Sequence, residues 1–178
     1  MRIIAGKYKG KPLKELKYDH IRPTGDKVKQ ALFTKFQFEI NDARVLDLFC
    51  GTGGLGIEAI SRGAGEVVFV DKNPKSTALT KENLRSIKID AKVLTAPYDK
   101  ALSKLDGKFD MILVDPPYKC GFYEDVIKLI YEYDLLAEDG SIVVEHAKED
   151  KFAFDNFEIY DQKRYGTVML TFLKNKTK

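Results

Sequence analysis

Beyond residue 43 the chain alternates short apolar runs rich in β-branched residues with longer stretches of helical spacing, and this alternation restricts the fold more than any other feature. The runs 45–49, 67–71, 93–94, 111–115 and 141–145 are interleaved with helical stretches at 55–62, 75–87, 98–105 and 122–136. Strands separated by helices are joined by right-handed crossovers, which gives an α/β fold with a mostly parallel sheet covered on both faces. The last two β-like runs, 157–162 and 167–173, are separated only by Lys163-Arg164-Tyr165-Gly166 and predict an antiparallel hairpin closing the sheet's edge. The lysine-rich stretch 174–178 reads as a frayed end.

The first 41 residues follow other rules. Residues 2–5 and 11–16 can pair across Gly6 to Gly10 as a short β-hairpin, and Val28, Ala31, Leu32, Phe36 and Ile40 fall at helical spacing. Residues 1–40 hold ten Lys/Arg against four acids, so they carry +6 and the remainder −3. A basic segment of this kind is the electrostatic footprint of a polyanion partner. The expected division is an N-terminal basic appendage, 1–41, and a main domain, 42–178. No apolar run approaches the roughly 20 residues that cross a bilayer, so a soluble cytoplasmic protein with no membrane partner is expected. Cys50 and Cys120 stand far apart without a Cys-x-x-Cys or a histidine pair, which argues against a metal site.

Gly51, Gly53 and Gly56 form a G-x-G-x-x-G directly after the first strand and before a helix, and Asp71 ends the next strand 20 residues beyond Gly51. Glycine lets backbone approach a ligand closely, and a carboxylate at the second strand end can accept both hydroxyls of a ribose. A nucleoside-type cofactor is expected, held by Gly51, Thr52 and Gly53, by Asp71 and Lys72, and by Asp47, which either holds the loop or reaches a ligand amino group through water. The motif alone is compatible with a nicotinamide dinucleotide or with S-adenosylmethionine.

The fourth strand separates these alternatives, because it runs into Asp115-Pro116-Pro117-Tyr118, for which a dehydrogenase has no use. Two prolines hold an extended loop and prevent an immediate helix. Asp115 and the Pro116 carbonyl can then accept the two N–H bonds of an exocyclic amine, whose lone pair is otherwise delocalised into its ring, and the carboxylate stabilises the charge that develops on nitrogen. Tyr118 offers a face on which an extruded base can stack, and Pro117 a neighbouring contact. Cys120 suggests the cysteine nucleophile of cytosine-C5 chemistry, but the acid ahead of the prolines favours a small loop residue there. Glu145 and His146 read as structural, since methyl transfer to an amine needs no prior proton abstraction.

With both motifs placed, the chain resembles a class I S-adenosylmethionine-dependent methyltransferase of Rossmann-like fold. More closely, it is similar to the ribosomal RNA small-subunit methyltransferase D family, through "MRIIAGKYKGKPL", "IRPTGDKVKQALF", "VLDLFCGTGGLGIEA", "FVDKN", "ILVDPPY" and "RYGTVMLTF". The resemblance implies a seven-stranded sheet, S-adenosylmethionine at Gly51, Gly53 and Asp71, and methyl transfer to N2 of a guanine at Asp115. The substrate it implies is 16S rRNA within the small ribosomal subunit or an assembly intermediate. It also implies an N-terminal hairpin gripping RNA, with Arg2, Lys7 and Lys9 on the hairpin and Arg22 and Thr24 near the site. One departure stands out. Where relatives place Asp or Asn to read the adenine, this chain has Ala96-Pro97-Tyr98, which leaves that task to the Tyr98 backbone, its ring or Asp99. The competing readings are an amino methyltransferase acting on adenine N6 or another planar nitrogen, a nicotinamide-dependent oxidoreductase, and a non-catalytic RNA-binding assembly factor.

Overall fold

The computed structural model describes residues 1–16, 25–117 and 119–177. Its central sheet has seven strands in the order β3-β2-β1-β4-β5-β7-β6. Five run parallel: β1 (Arg44–Asp47), β2 (Glu66–Asp71), β3 (Lys92–Thr95), β4 (Phe109–Val114) and β5 (Leu136–Ala147). The hairpin of β6 (Phe157–Tyr165) and β7 (Val168–Asn175) adds antiparallel to β5, with β7 inside and β6 at the edge. Edge strand β6 exposes Glu158, Lys163 and Arg164, charges that discourage pairing with another chain.

Successive side chains of a strand point to opposite faces, so each apolar run feeds two cores. Val45, Val67, Phe69, Met111, Leu113 and Val143 pack with α1 (Asp26–Lys35), α2 (Gly54–Ser61) and α3 (Pro74–Ser86). Leu46, Val68, Val70, Ile112, Val114 and Val144 pack with α4 (Tyr98–Leu102) and α5 (Tyr123–Glu132). Burial on both faces is why the strands read as unbroken apolar runs.

The chain enters at β1, builds outward to β3, then returns to place β4 on the other side of β1. Strand order reverses there, and a crevice opens beyond the carboxyl ends of β1 and β4. Their register sets Asp47 beside Leu113, and the Leu48 N–H donates to the Leu113 carbonyl at 3.1 Å.

Several elements differ in extent from the periodicity, α1 among them, which stops at Lys35 although Phe36 and Ile40 continue the apolar spacing and are buried. The helix expected over 122–136 stops at Glu132, and β5 begins already at Leu136. Asp134 takes a left-handed φ of 51°, the Leu135 N–H bonds back to the Ile130 carbonyl, and the Leu135 carbonyl then accepts the Phe109 N–H. Leu135 and Leu136 are both buried, and a short apolar pair of this kind fits the end of a helix or the start of a strand equally well. Helix α4 ends at Leu102, with Leu105 still buried beyond it. The N-terminal arms pair as expected, but through one antiparallel bridge, Arg2 with Pro12, flanked by bonds from Ile3 N–H to Lys11 O and from Leu13 N–H to Met1 O.

Candidate active site

The glycine loop turns sharply out of β1. Gly51 and Gly53 have φ of 55° and 87°, a region that side chains other than glycine rarely adopt. A Cβ on Gly51 would meet nothing within 4 Å, so this glycine faces open space. Gly56 serves packing instead, since a Cβ there would lie 2.3 Å from the Phe69 ring.

Carboxylates and side-chain amides tie the loop from behind. The Gly51 N–H donates to Asp71 Oδ2 at 2.9 Å, and the Asn73 N–H to Asp71 Oδ1 at 2.8 Å. The Thr80 hydroxyl donates to the Gly51 carbonyl at 2.9 Å, and Asn83 Nδ2 to the Thr52 carbonyl at 2.9 Å. Beneath the loop, Asp47 is buried and accepts the Gly56 N–H at 2.9 Å. Asp47 thereby fastens the first turn of α2, just beyond the loop. Burial pushes its carboxyl up to about 7, with the Asp71 charge adding to this and the Gly56 N–H opposing it. Burial also raises the Cys50 thiol well above its ordinary range, which leaves no nucleophilic thiolate. Thr52 is half-buried and Lys72 exposed at the same rim.

Across the crevice, Asp115 is half-buried, Pro116 buried and Pro117 exposed. Tyr118, Arg22 and Thr24 lie outside the described residues. Facing both strand ends is a group of rings that the sequence reading missed in part. Tyr98 stacks on Phe122 with centroids 5.0 Å apart and planes at 22°, and Phe49 lies 6.0 and 5.8 Å from the two. The only available signal was that Phe49 and Tyr98 follow closely on β1 and β3; Phe122, at the start of α5, carried none. The Tyr98 hydroxyl donates to Asp125 Oδ2 at 2.7 Å, and burial together with that carboxylate pushes it up to about 12, so it remains a donor. Cys120 packs on the same core as these rings, and burial raises its thiol as well. His146 lies inside the sheet, with Nε2 2.8 Å from the Thr171 hydroxyl.

The basic arm approaches from the α2 side. Arg2, Lys7 and Lys9 are exposed; Arg2 Nε lies 3.8 Å from Asp26, and the Lys7 ammonium 5.3 Å from the Tyr8 ring. Beneath the arm is an unanticipated buried network. Glu58 accepts the N–H groups of Ile4 and Ala5 at 2.9 and 3.0 Å and the Arg62 Nε–H at 2.9 Å, with the ammonium of buried Lys29 at 3.6 Å. Lys29 donates in turn to the Arg2 carbonyl at 3.0 Å. Burial lowers its ammonium's pKa, against the raising effect of Glu58. Both residues stand at helical spacing from apolar ones, Lys29 three and four residues before Leu32 and Phe33 and Glu58 three residues after Leu55. A charge at such spacing is the signal that was available.

The family described as "Conserved hypothetical protein 95" matches residues 1–174. Over 154 residues the chain is 42% identical to YlbH of Bacillus subtilis (strain 168), covering 84% of each. Over 181 aligned positions it is 32% identical to ribosomal RNA small subunit methyltransferase D of Haemophilus influenzae, covering 98% of this chain and 94% of that one. Among solved structures, that of yhhF from Escherichia coli is similar at a TM-score of 0.89 and 29% identity, covering 100% of this chain and 99% of the other.

Proposed function

The chain belongs to the ribosomal RNA small-subunit methyltransferase D family, and from that premise we propose that it transfers a methyl group from S-adenosylmethionine to N2 of a guanine in 16S rRNA. The substrate form in this reading is the small ribosomal subunit or an assembly intermediate of it. The observation that carries the reading is the adjacency of two strand ends: β4 delivers Asp115 beside the crevice where β1 delivers its glycine loop.

The residues present fit the cofactor. Gly51 leaves open space where a side chain would stand. Each Asp71 oxygen accepts one backbone N–H, which leaves each a lone pair for a ribose hydroxyl. Asp47, its carboxyl raised to about 7, can ionise fully beside an ammonium group. Gly51, Thr52, Gly53, Asp71 and Lys72 would hold the ribose and methionine portions, and Tyr98 the adenine. When bound, S-adenosylmethionine supplies an electrophilic methyl group on a sulfonium.

The chain's own residues supply orientation and charge. Asp115 and the Pro116 carbonyl accept the two N–H bonds of the guanine amine and aim its lone pair; Pro116 is buried, so the aim is rigid. As nitrogen gains positive charge, the Asp115 carboxylate stabilises it, and the displaced proton leaves to water. Tyr118 stacks on the extruded base, with Pro117 alongside. Arg2, Lys7, Lys9, Arg22 and Thr24 grip the RNA backbone, making 1–41 the RNA-binding portion and 42–178 the catalytic one.

The test is methyl transfer from labelled S-adenosylmethionine to small subunits lacking the modification, to naked rRNA and to DNA, followed by nucleoside mass spectrometry. N2-methylguanosine in subunits, lost with Asp115→Ala, is expected. Methyl on adenine, or full activity in Asp115→Ala, would overturn the assignment.

A further inference from the structure

The basic arm is built into the protein rather than hung from it. Ile3 and Leu13 are buried in the main core. The Ser61 hydroxyl donates to the Ala5 carbonyl at 2.6 Å and accepts the Tyr8 N–H at 3.0 Å, while the Lys7 N–H donates to the Ser61 carbonyl at 2.7 Å. The fit is close enough that a Cβ on Gly6 would lie 1.8 Å from the Ser61 carbonyl oxygen.

The second attachment goes through one side chain. Asn83, on α3 and 2% exposed, accepts the Lys14 N–H on Oδ1 at 2.8 Å and donates through Nδ2 to the Lys14 carbonyl at 3.1 Å. The same nitrogen donates its other hydrogen to the Thr52 carbonyl at 2.9 Å. An amide nitrogen has two hydrogens, so the donor capacity of Asn83 is used up in joining the arm to the cofactor loop. Displacing Lys14 takes away two of the three bonds that orient this amide, and with them the geometry of the bond to Thr52.

We propose that Asn83 is a positioning residue that makes RNA binding on the arm and cofactor binding on the glycine loop energetically coupled. This rests on the functional reading above and deepens it. Subunit contacts that hold the arm in place also hold the Asn83 amide, and so hold Thr52 in the arrangement the cofactor requires. Because binding free energies are reciprocal, the cofactor product must tighten subunit binding by the same factor.

The probes are S-adenosylhomocysteine, measured by calorimetry, and small subunits lacking the modification, measured by thermophoresis of the labelled enzyme with and without saturating S-adenosylhomocysteine. In the wild type, S-adenosylhomocysteine should tighten subunit binding about fivefold or more. In Asn83→Ala that ratio should fall to about one. Asn83→Asp, which keeps the acceptor but loses both donated bonds, should behave alike and serves if the alanine variant fails to fold. Thr80→Ala provides the contrast: Thr80 holds the Gly51 carbonyl, and among the described residues its hydroxyl bonds only Gly51 and Cys50, so its loss should weaken S-adenosylhomocysteine binding while the ratio persists. Lys9→Ala should weaken subunit binding and also keep the ratio. A wild-type ratio of one, or an undiminished ratio in a folded Asn83 variant, overturns the proposal while leaving the cofactor reading intact. Absence of S-adenosylhomocysteine binding to the wild type overturns both.

Discussion

The two strand ends that flank the crevice are made rigid by opposite means. At β1 and β2 the loop is held by side chains from distant elements: Asp71, Thr80, Asn83 and Asp47 each fasten a backbone group of the loop or of the first turn of α2. At β4 the segment is stiffened from within, because Pro116 and Pro117 restrict their own backbone and that of the residue before each. Rigidity of the first kind is cooperative with the fold and sensitive to substitutions far away. Rigidity of the second kind is local, so chemistry there can be altered while the fold stands.

The largest effect should come from breaking the distributed kind. Glu58→Ala leaves the ammonium of Lys29 buried without its carboxylate and three donors, the N–H groups of Ile4 and Ala5 and the Arg62 Nε–H, without their acceptor. Removing one partner of a buried pair costs about 3–5 kcal/mol, and urea unfolding should show a loss of that size. A loss below about 1 kcal/mol would mean that the arm is not integral to the domain.

Next is Asp115→Ala, where the difference between the two ends is sharpest. The rate of methyl transfer should fall by about 10²–10³, the effect of removing a preorganised group that acts on developing charge. Thermal stability and S-adenosylhomocysteine affinity should stay near wild type. A parallel loss of cofactor affinity would show that the two ends are not separable.

A smaller effect tests Asp47. Its carboxyl is raised to about 7 in the folded protein against 3.8 ordinarily, so the native state holds a proton that the unfolded chain has released. The stabilisation this gives is present below pH 3.8 and is lost as pH rises through about 7. Across pH 4–7 the wild type should therefore lose stability relative to Asp47→Asn, with a slope of at most about 1.4 kcal/mol per pH unit, that of one proton. Parallel urea midpoints for the two proteins would contradict this. Because the α-ammonium group of the ligand would favour ionised Asp47, S-adenosylhomocysteine binding near pH 6.5 should release protons, read from calorimetry in buffers of different ionisation enthalpy.

The smallest effect should be that of Pro117→Ala. Proline contributes about 0.4–1 kcal/mol through the unfolded chain, so stability should fall by no more than this, with a few-fold loss in turnover as the exposed segment gains freedom. A severe loss of stability would show that this segment, too, is held by the fold.

Alternation of strands and helices, the glycine spacing and the Asp-Pro-Pro run were all readable along the chain, since each depends on residues close in sequence. A strand's apolar run, a backbone position only glycine tolerates and a proline's restricted φ are properties of a few consecutive residues. The basic arm was readable as charge, but not its anchoring. Nothing near Asn83 in sequence shows that it meets both Lys14 and Thr52, and the partners of Glu58 stand as far as 54 residues away. The same holds for the ring group of Phe49, Tyr98 and Phe122, which follow three different strands. Sequence by itself thus determined the class of fold, the strand ends between which the crevice lies, and the glycine loop and Asp-Pro-Pro run that those ends carry. Only the tertiary structure decided what holds the glycine loop and the arm still, because buried polar atoms must find partners wherever packing brings them, and packing brings together residues that the chain keeps apart.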